Sequence, residues 1–264
     1  MYPTLFFLGP VRVDAYPFLL ALGFATGTVV AVFRARKRGL DTEIVHTLSL
    51  LILASSILGA RLLHFAFHYD LYARSGAPLA RLLRLNAGGL MVMGGVAGAL
   101  SASLLYLWLK RLPVLKITDI LAPSVPLGSA LVRVGCFLNG CCFGKPTASW
   151  TGTTFPPEAP VYRTEVTGIL PGTPVWPTQL FESAAGLAMF SLLILAERFP
   201  GRFHGRTTGL MLVLFGTWRC FIEELRFSGT DFLFENGGWS VNQVVSMIVV
   251  LAGGLVLVAG YRKR

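Results

Sequence analysis

Seven long apolar segments follow one another along this chain of 264 residues, and they constrain its fold more than any other feature. The hydrocarbon core of a membrane is about 30 Å thick, and a helix of roughly 20 predominantly apolar residues crosses it. The sequence therefore predicts an all-α, polytopic membrane protein whose residues 1–264 form a single integral membrane domain. The predicted spans are residues 16–33, 44–67, 88–109, 118–138, 178–195, 208–222 and 239–261.

The composition supports a membrane protein and argues against two other classes. Apolar residues make up 54% of the chain and charged residues only 14%, which is outside the range of ordinary soluble domains. The formal net charge is +10, but long apolar runs interrupt the basic residues. A nucleic-acid-binding protein needs its basic residues gathered on a solvated surface. We therefore expect no nucleic acid partner.

Lysine and arginine indicate the orientation, because loops rich in these residues stay on the cytoplasmic side. With the N-terminus outside and the C-terminus inside, thirteen of the 23 basic residues fall on the inner side and seven on the outer side. The same topology places residues 139–177 outside. Seven prolines in that segment predict an irregular outer-face loop with short extended pieces. The prolines and glycines of the fourth span predict a bent, interior helix.

Three arginines fall inside predicted spans, where a charged side chain costs at least about 2.5 kcal/mol. Arg61, Arg133 and Arg219 all lie toward the outer ends of their helices, so they are candidates for one shared site. The alternative is that each is paired with a carboxylate, and Glu223, Glu182 and Glu224 are the possible partners. No acid lies within one helical turn of Arg133, so its guanidinium is expected to be free to bind a phosphate.

Two further pairs of residues have a structural and a functional interpretation. Gly94 and Gly95 either allow two helices to approach closely or let a lipid head group come near the site. Gln179 and Glu182 follow a proline near the start of the fifth span, which is ordinary for the N-terminus of a helix. They also lie three residues apart, so both project to the same side of the helix. Burying them is costly unless they bind something.

Three of the four cysteines, Cys136, Cys141 and Cys142, fall in one short stretch near the predicted outer face. The compartment there is oxidising, so a disulfide between Cys136 and one of the other two is one expectation, and free functional thiols are the other. A cysteine that carries the lipid covalently is a minority alternative. A zinc site would need a fourth ligand, and none is evident at the usual spacing. We expect no metal and no organic cofactor.

Several motifs, taken in order, resemble the prolipoprotein diacylglyceryl transferase family. These bacterial membrane enzymes move a diacylglyceryl group from phosphatidylglycerol to a cysteine thiol of a lipoprotein precursor. The motifs cover most of the chain. They are GPV at 9–11 with Tyr16, GARL at 59–62, DILAPSVPLG at 119–128, RVGCFLNG at 133–140, PTQLFE at 177–182, Arg219 with Glu223, and Gln243 with Ser246.

The resemblance implies a multi-pass enzyme of the bacterial inner membrane that works without a cofactor. Its partners would be phosphatidylglycerol, other membrane lipids, and the signal peptide of a prolipoprotein with its lipobox cysteine. The resemblance makes Arg133, Arg219 and Glu223 the catalytic candidates, with Glu223 orienting Arg219. The candidates for substrate binding are Tyr16, Arg61, Gly94, Gly95, Asn139, Gln179 and Glu182.

The chain departs from the family pattern at three positions. Met93 stands where the family usually has a histidine, Cys136 replaces an asparagine, and Cys141 replaces a glutamate. A methionine thioether cannot accept the thiol proton. The favoured interpretation is that transfer is retained, because the arginines neutralise the charge that develops on the leaving group. The alternative is a lipid-binding protein, or a related lipid-group transferase with a different acceptor.

Overall fold

The computed structural model describes residues 3–73, 89–163, 167–199, 203–227 and 239–262. Gly88, the first residue of the predicted third span, lies outside these ranges. Helices dominate the described chain, and the predicted all-α membrane class is confirmed. The elements are β1 Thr4–Leu8, β2 Val11–Asp14, α1 Ala15–Lys37, α2 Thr42–Phe67, α3 Tyr69–Ala73, α4 Val92–Leu109, α5 Val114–Leu121, α6 Ser124–Asn139, a 3₁₀ turn Pro160–Tyr162, α7 Thr178–Ala196, α8 Arg206–Glu223 and α9 Val241–Arg262.

Six stretches of the described residues are long and apolar enough to cross a membrane. One of them, Val114–Asn139, is the most buried of the six, and it is broken into α5 and α6 around Pro123. The predicted bend in the fourth span is therefore present. The sixth predicted span is present as α8, but Arg206, Arg219 and Glu223 keep it less apolar than the other spans.

Two small antiparallel strands, β1 and β2, precede the first long helix and were not predicted from the sequence. Gly9 adopts a positive φ of 60° in the turn between them, a conformation that glycine tolerates best. The Ala15 amide donates to the Pro3 carbonyl at 2.7 Å, which ties the start of α1 to the strand before it.

The chain divides into two compact units, and the smaller one comprises residues 32–117. In this unit α2 and α4 pack backbone to backbone. A Cβ atom built on Gly94 would lie 2.3 Å from the Gly59 carbonyl oxygen, and one on Gly98 would lie 2.4 Å from the Ser55 carbonyl oxygen. No side chain fits at such distances. Small residues therefore set the separation of the two helices.

The larger unit comprises residues 1–31 and 118–264. Close glycine contacts recur here. A Cβ on Gly23 would meet the Gly128 carbonyl oxygen of α6 at 2.8 Å, and one on Gly253 would meet the Gly209 carbonyl oxygen of α8 at 2.8 Å. Helix pairs at this separation bring the polar side chains at their ends within reach of one another.

A single buried carboxylate fixes the beginning of α8. Asp119, in α5, accepts hydrogen bonds from the backbone amides of Gly205 at 2.7 Å and Thr208 at 2.8 Å, and from the Thr208 hydroxyl at 2.8 Å. The first amides of a helix have no partner within it, and a negative charge at this end is favourable. This explains the acidic residue at the start of the DILAPS stretch.

Residues 139–163 and 167–177 form the irregular segment that the prolines predicted, with isolated β-bridges such as Pro146 to Val175. The segment also has an apolar core of its own. The Tyr162 hydroxyl accepts from the Phe155 amide and donates to the Thr173 carbonyl, both at 3.0 Å. The buried residues of this core are Phe143, Phe155, Ala159, Val161, Tyr162, Ile169 and Val175.

Candidate functional site

One carboxylate of α7, that of Glu182, brings three arginines together in the larger unit. Arg133 of α6 makes a close ion pair with it through Nε. Nη1 of Arg219, in α8, and Nη1 of Arg226, just beyond α8, each lie 3.7 Å from Glu182 Oε1. Glu182 is only 8% exposed, so its charge is compensated inside the protein and not by water. We call Arg133, Glu182, Arg219, Glu223 and Arg226 the arginine cluster.

The expectation that Arg133 is unpaired is wrong. No acid lies within one helical turn of Arg133, but Glu182 reaches it from a different helix that is distant in sequence. The packing of α6 against α7 creates the pair. At Gly186, one turn after Glu182, a Cβ would lie 2.7 Å from the Pro126 carbonyl oxygen of α6.

Arg219 and Glu223 form the ion pair that their spacing of four residues predicted. Nη1 of Arg219 lies 2.7 Å from Glu223 Oε2. The other carboxylate oxygen of Glu223 accepts from the Asn242 amide at 2.9 Å and from the Ser240 hydroxyl at 3.4 Å. Residues at the start of α9 thus fix the glutamate that faces Arg219. That Glu223 orients Arg219 for catalysis remains a prediction.

Arg226 is the member of the cluster that the sequence analysis did not single out. It was counted only as a basic residue of an outer loop, because it follows the end of the sixth span. In the structure the backbone after α8 pairs with residues 143–145, and the Phe227 amide donates to the Phe143 carbonyl at 3.1 Å. Arg226 lies beyond the end of α8 at Glu223, so no helical spacing relates it to Arg219.

The arginine cluster is positively charged overall and adjoins a small cavity. Three guanidinium groups face two carboxylates, which leaves one formal positive charge. The cavity measures about 20 Å³, enough for roughly one water molecule. Such a site favours an anion, provided that neighbouring side chains move aside to admit it. The lining residues are Ser129, Arg133, Glu182, Gly186, Met189, Phe215, Trp218 and Arg219.

Gln179 points inward beside Glu182, as predicted, but its observed partner belongs to the chain itself. Its side-chain amide donates to the Cys141 carbonyl at 2.8 Å, and the neighbouring Thr178 hydroxyl donates to the Cys142 carbonyl at 3.1 Å. Both side chains are fully buried. Side chains at the start of α7 therefore fix the backbone of the loop that follows α6. Asn139, the last residue of α6, lies close to the Cys141 thiol.

The three clustered cysteines meet at the end of α6, and their sulfur atoms all lie within 4.8 Å of one another. All three are free thiols in the structure. Hydrogen bonds from the thiols of Cys136 and Cys141, together with the positive charges of Arg226 and Arg133, lower the pKa of the Cys142 thiol below its ordinary value. Cys142 therefore carries negative charge more readily than a solvated cysteine does.

Tyr16 lies in the first turn of α1, packed against α6. A Cβ built on Gly135 would lie 3.2 Å from the Tyr16 Cα atom. The Tyr16 side chain interacts electrostatically with Arg133 and with the cysteine thiols. The structure thus places this predicted lipid-lining residue beside the arginine cluster.

Arg61 belongs to the smaller unit, and the contacts described for it lie there. Its Nη1 donates to the Gly89 carbonyl at 2.9 Å, and its guanidinium lies 5.6 Å from the centre of the Tyr72 ring. The predicted convergence of Arg61 with Arg133 and Arg219 stays a prediction.

Gly94 and Gly95 make helix contacts within the same unit. Gly94 packs against Gly59, and a Cβ on Gly95 would lie 3.2 Å from the Ser56 carbonyl oxygen. These contacts support the packing interpretation of the glycine pair. A role for either glycine in substrate binding stays a prediction.

Fold and site together define a class, that of a multi-pass helical membrane protein with a largely buried cluster of three arginines and two carboxylates. Residues 3–259 match the sequence model of the family described as prolipoprotein diacylglyceryl transferase. The chain belongs to this family, and its resemblance to the family is confirmed.

Three relatives illustrate the match, and each is named phosphatidylglycerol–prolipoprotein diacylglyceryl transferase. The chain is 31% identical to the protein of Finegoldia magna, over 94% of this chain and 91% of that protein. It is 30% identical to the protein of Sodalis glossinidius, over 99% and 94% respectively. It is also 30% identical to the protein of Synechococcus elongatus, over 99% and 89%. These names give no support to the lipid-binding alternative.

Proposed function

We propose that this protein transfers the diacylglyceryl group of phosphatidylglycerol to the lipobox cysteine thiol in the signal peptide of a prolipoprotein, within the inner membrane of a bacterium. Membership of the transferase family and the names of the relatives support the reaction. The observation that carries the proposal is the arginine cluster, in which three guanidinium groups outnumber two buried carboxylates.

The cluster has donor capacity left for an anionic head group. A charge-assisted hydrogen bond between an arginine nitrogen and a carboxylate oxygen is typically about 2.7 to 2.9 Å long. Arg219 and Arg226 both lie 3.7 Å from Glu182, beyond that range. The phosphodiester of phosphatidylglycerol offers two oxygen acceptors, which suit the planar fork of an arginine. Binding the phosphodiester would replace these two long contacts. The closer ion pairs, Arg133 with Glu182 and Arg219 with Glu223, would keep both carboxylates in place.

The reaction follows from where charge develops. The acceptor thiol gives its proton to water at the membrane interface, and its sulfur attacks the glycerol C3 carbon of the diacylglyceryl group. The bond from that carbon to the phosphate oxygen breaks, and glycerol phosphate leaves with the additional negative charge. Arg133 and Arg219 stabilise this charge, and Arg226 adds a third donor. Losing one such preorganised donor typically costs about 100- to 1,000-fold in rate.

Other residues of the larger unit are assigned supporting roles. Tyr16 lines the lipid side of the cluster. Gln179, together with Asn139, holds the turn next to Arg133 in place through Cys141. The substrate-binding roles predicted for Arg61, Gly94 and Gly95 are proposals that await a test of their own.

The test is a transfer assay with purified protein, radiolabelled phosphatidylglycerol and a peptide that contains a lipobox cysteine. We expect label on the peptide with the unchanged protein and at least about 100-fold less with Arg133→Gln. Arg163→Gln is the matched control. It makes the same substitution at an exposed arginine in the 139–177 segment, and it should leave the rate unchanged.

Two outcomes would contradict the proposal. If the unchanged protein retains labelled lipid but transfers none to the peptide, the protein binds lipid and is not this transferase. If Arg133→Gln transfers at the full rate, Arg133 takes no part in the reaction. Thermal unfolding and gel filtration in detergent show whether each variant is folded before its rate is interpreted.

A further inference from the structure

The turn that follows α6 brings three cysteines to one point. Cys136 lies in the last turn of α6, which ends at Asn139. Gly140 then adopts a left-handed conformation with φ of 71°, and the Cys141 amide donates back to the Cys136 carbonyl at 3.1 Å. This reversal returns Cys141 and Cys142 to the side of the helix that carries Cys136. The resulting group of three thiols takes no part in the transfer chemistry described above.

The backbone conformation of Cys142 keeps its thiol next to those of Cys136 and Cys141. Its φ is 60°, in the left-handed region that residues with a Cβ rarely adopt. The surrounding hydrogen bonds maintain this conformation, because Thr178 and Gln179 hold the carbonyls of Cys142 and Cys141. The thiols are thus preorganised by the junction between α6 and α7.

We propose that Cys136, Cys141 and Cys142 form a binding site for a thiophilic d¹⁰ divalent cation such as Zn²⁺, with the three sulfurs as ligands. No metal was expected from the sequence, because a fourth protein ligand is missing at the usual spacing. Three protein ligands suffice when water takes the fourth position of a tetrahedral zinc ion. Cys141 and Cys142 are only half-buried, which leaves access for the ion and for that water.

The distances fit this chemistry. With bonds of about 2.3 Å from zinc to sulfur and tetrahedral angles, neighbouring sulfurs lie roughly 3.8 Å apart. The three sulfurs here lie within 4.8 Å of one another, so binding needs a contraction of about 1 Å or less. Side-chain rotation of the two half-buried cysteines can supply it.

The charges fit as well. Binding releases whatever protons the three thiols carry, and the complex of a divalent ion with three thiolates carries one negative charge. Arg133 interacts electrostatically with Cys136 and Cys142, and Arg226 with Cys142. These guanidinium groups compensate the charge of the complex. A soft thiolate set of this kind selects zinc or cadmium over magnesium or calcium.

The test uses Cd²⁺ as the probe, titrated into the reduced, metal-free protein in detergent. We expect one ion per chain, detected by the ultraviolet charge-transfer absorption between thiolate and cadmium. The substitution Cys142→Ser should weaken binding by about 100-fold or more, since losing a ligand costs at least as much as losing a group that orients one. Cys220→Ser is the matched control, because Cys220 lies in α8 outside the group, and it should bind normally.

Protection from alkylation provides a second readout that does not depend on a variant folding. In the unchanged protein, Cd²⁺ should block the reaction of the half-buried Cys141 and Cys142 with iodoacetamide and leave Cys220 as reactive as before. The proposal is overturned if no cadmium absorption appears, if Cys142→Ser binds as tightly as the unchanged protein, or if Cd²⁺ leaves Cys141 and Cys142 reactive. None of these readouts depends on transferase activity, so the transfer reaction can fail its own test independently.

Discussion

The two units of this protein hold their helices together by different means. In the smaller unit, α2 and α4 meet through Gly59, Gly94 and Gly98, where backbone touches backbone. In the larger unit, glycine contacts also bring helices together, but Glu182 and Glu223 then join the helix ends to three arginines. Glycine contacts fix a distance between helices, whereas a charge cluster fixes the positions of particular functional groups. Substitutions at the glycine interface should therefore change stability alone. Substitutions in the arginine cluster should change both stability and the rate of transfer.

The largest effect is expected at the glycine interface. Gly94→Val places methyl groups where a single Cβ would already lie 2.3 Å from the Gly59 carbonyl oxygen. We expect a loss of about 3 kcal/mol or more in the free energy of unfolding, seen as a lower Tm in detergent. Gly254→Val is the matched control, because a Cβ at Gly254 meets nothing within 4 Å. Equal Tm values for the two variants would contradict the packing argument.

The next effect separates stability from activity in the arginine cluster. Glu182→Gln leaves three arginines facing one carboxylate, so we expect a loss of about 2 to 3 kcal/mol in the free energy of unfolding. Adding Arg133→Gln removes one of the excess positive charges and should restore part of that stability. The double variant should still transfer little or no lipid, because it lacks Arg133. Chemical denaturation and the transfer assay measure the two effects. A double variant no more stable than Glu182→Gln alone would mean that charge balance does not govern the cluster.

A smaller effect is expected from Arg226→Gln. The backbone pairing next to Arg226 involves main-chain atoms only, so the substitution removes the guanidinium and leaves the turn intact. We expect the transfer rate to fall by about 10- to 100-fold with little change in Tm. Arg163→Gln serves again as the exposed arginine control. An unchanged rate would remove Arg226 from the head-group site and leave it as a structural partner of Glu182.

The smallest effect is expected where one polar group positions another. Asn242→Ala removes the amide that donates to Glu223 at 2.9 Å and leaves its contact with Ser240. We expect a fall of about 10-fold or less in the transfer rate, equivalent to roughly 1 kcal/mol for one hydrogen bond. Asn242→Asp places a like charge against Glu223 and should cost more than the alanine. If the aspartate variant is the more active of the two, Asn242 does not position Glu223.

Much of the fold could be predicted because membrane spans are a local property of the sequence. Each span depends on about 20 neighbouring residues, and the break near Pro123 follows from its missing amide and its ring. The short β1–β2 pair could not be predicted in this way, because strands of five and four residues are too short to form a long apolar run.

The site could be predicted only in part, because its contacts join residues that are distant in sequence. The pair of Arg219 with Glu223 follows from helical spacing alone. The pair of Arg133 with Glu182 depends on how α6 packs against α7, which no local pattern records. Arg226 was missed for a similar reason, since its proximity to Glu182 depends on the path of the chain after α8.

The carboxylate of Asp119 has a consequence for the far end of α8. Arg219 lies thirteen residues after Arg206, which is a rise of roughly 20 Å along the helix axis. A helix clamped by its first amides resists both sliding along its axis and turning about it. Asp119 thus helps to fix the position of the Arg219 guanidinium along the helix axis and the direction in which it points, although the two residues lie near opposite ends of α8.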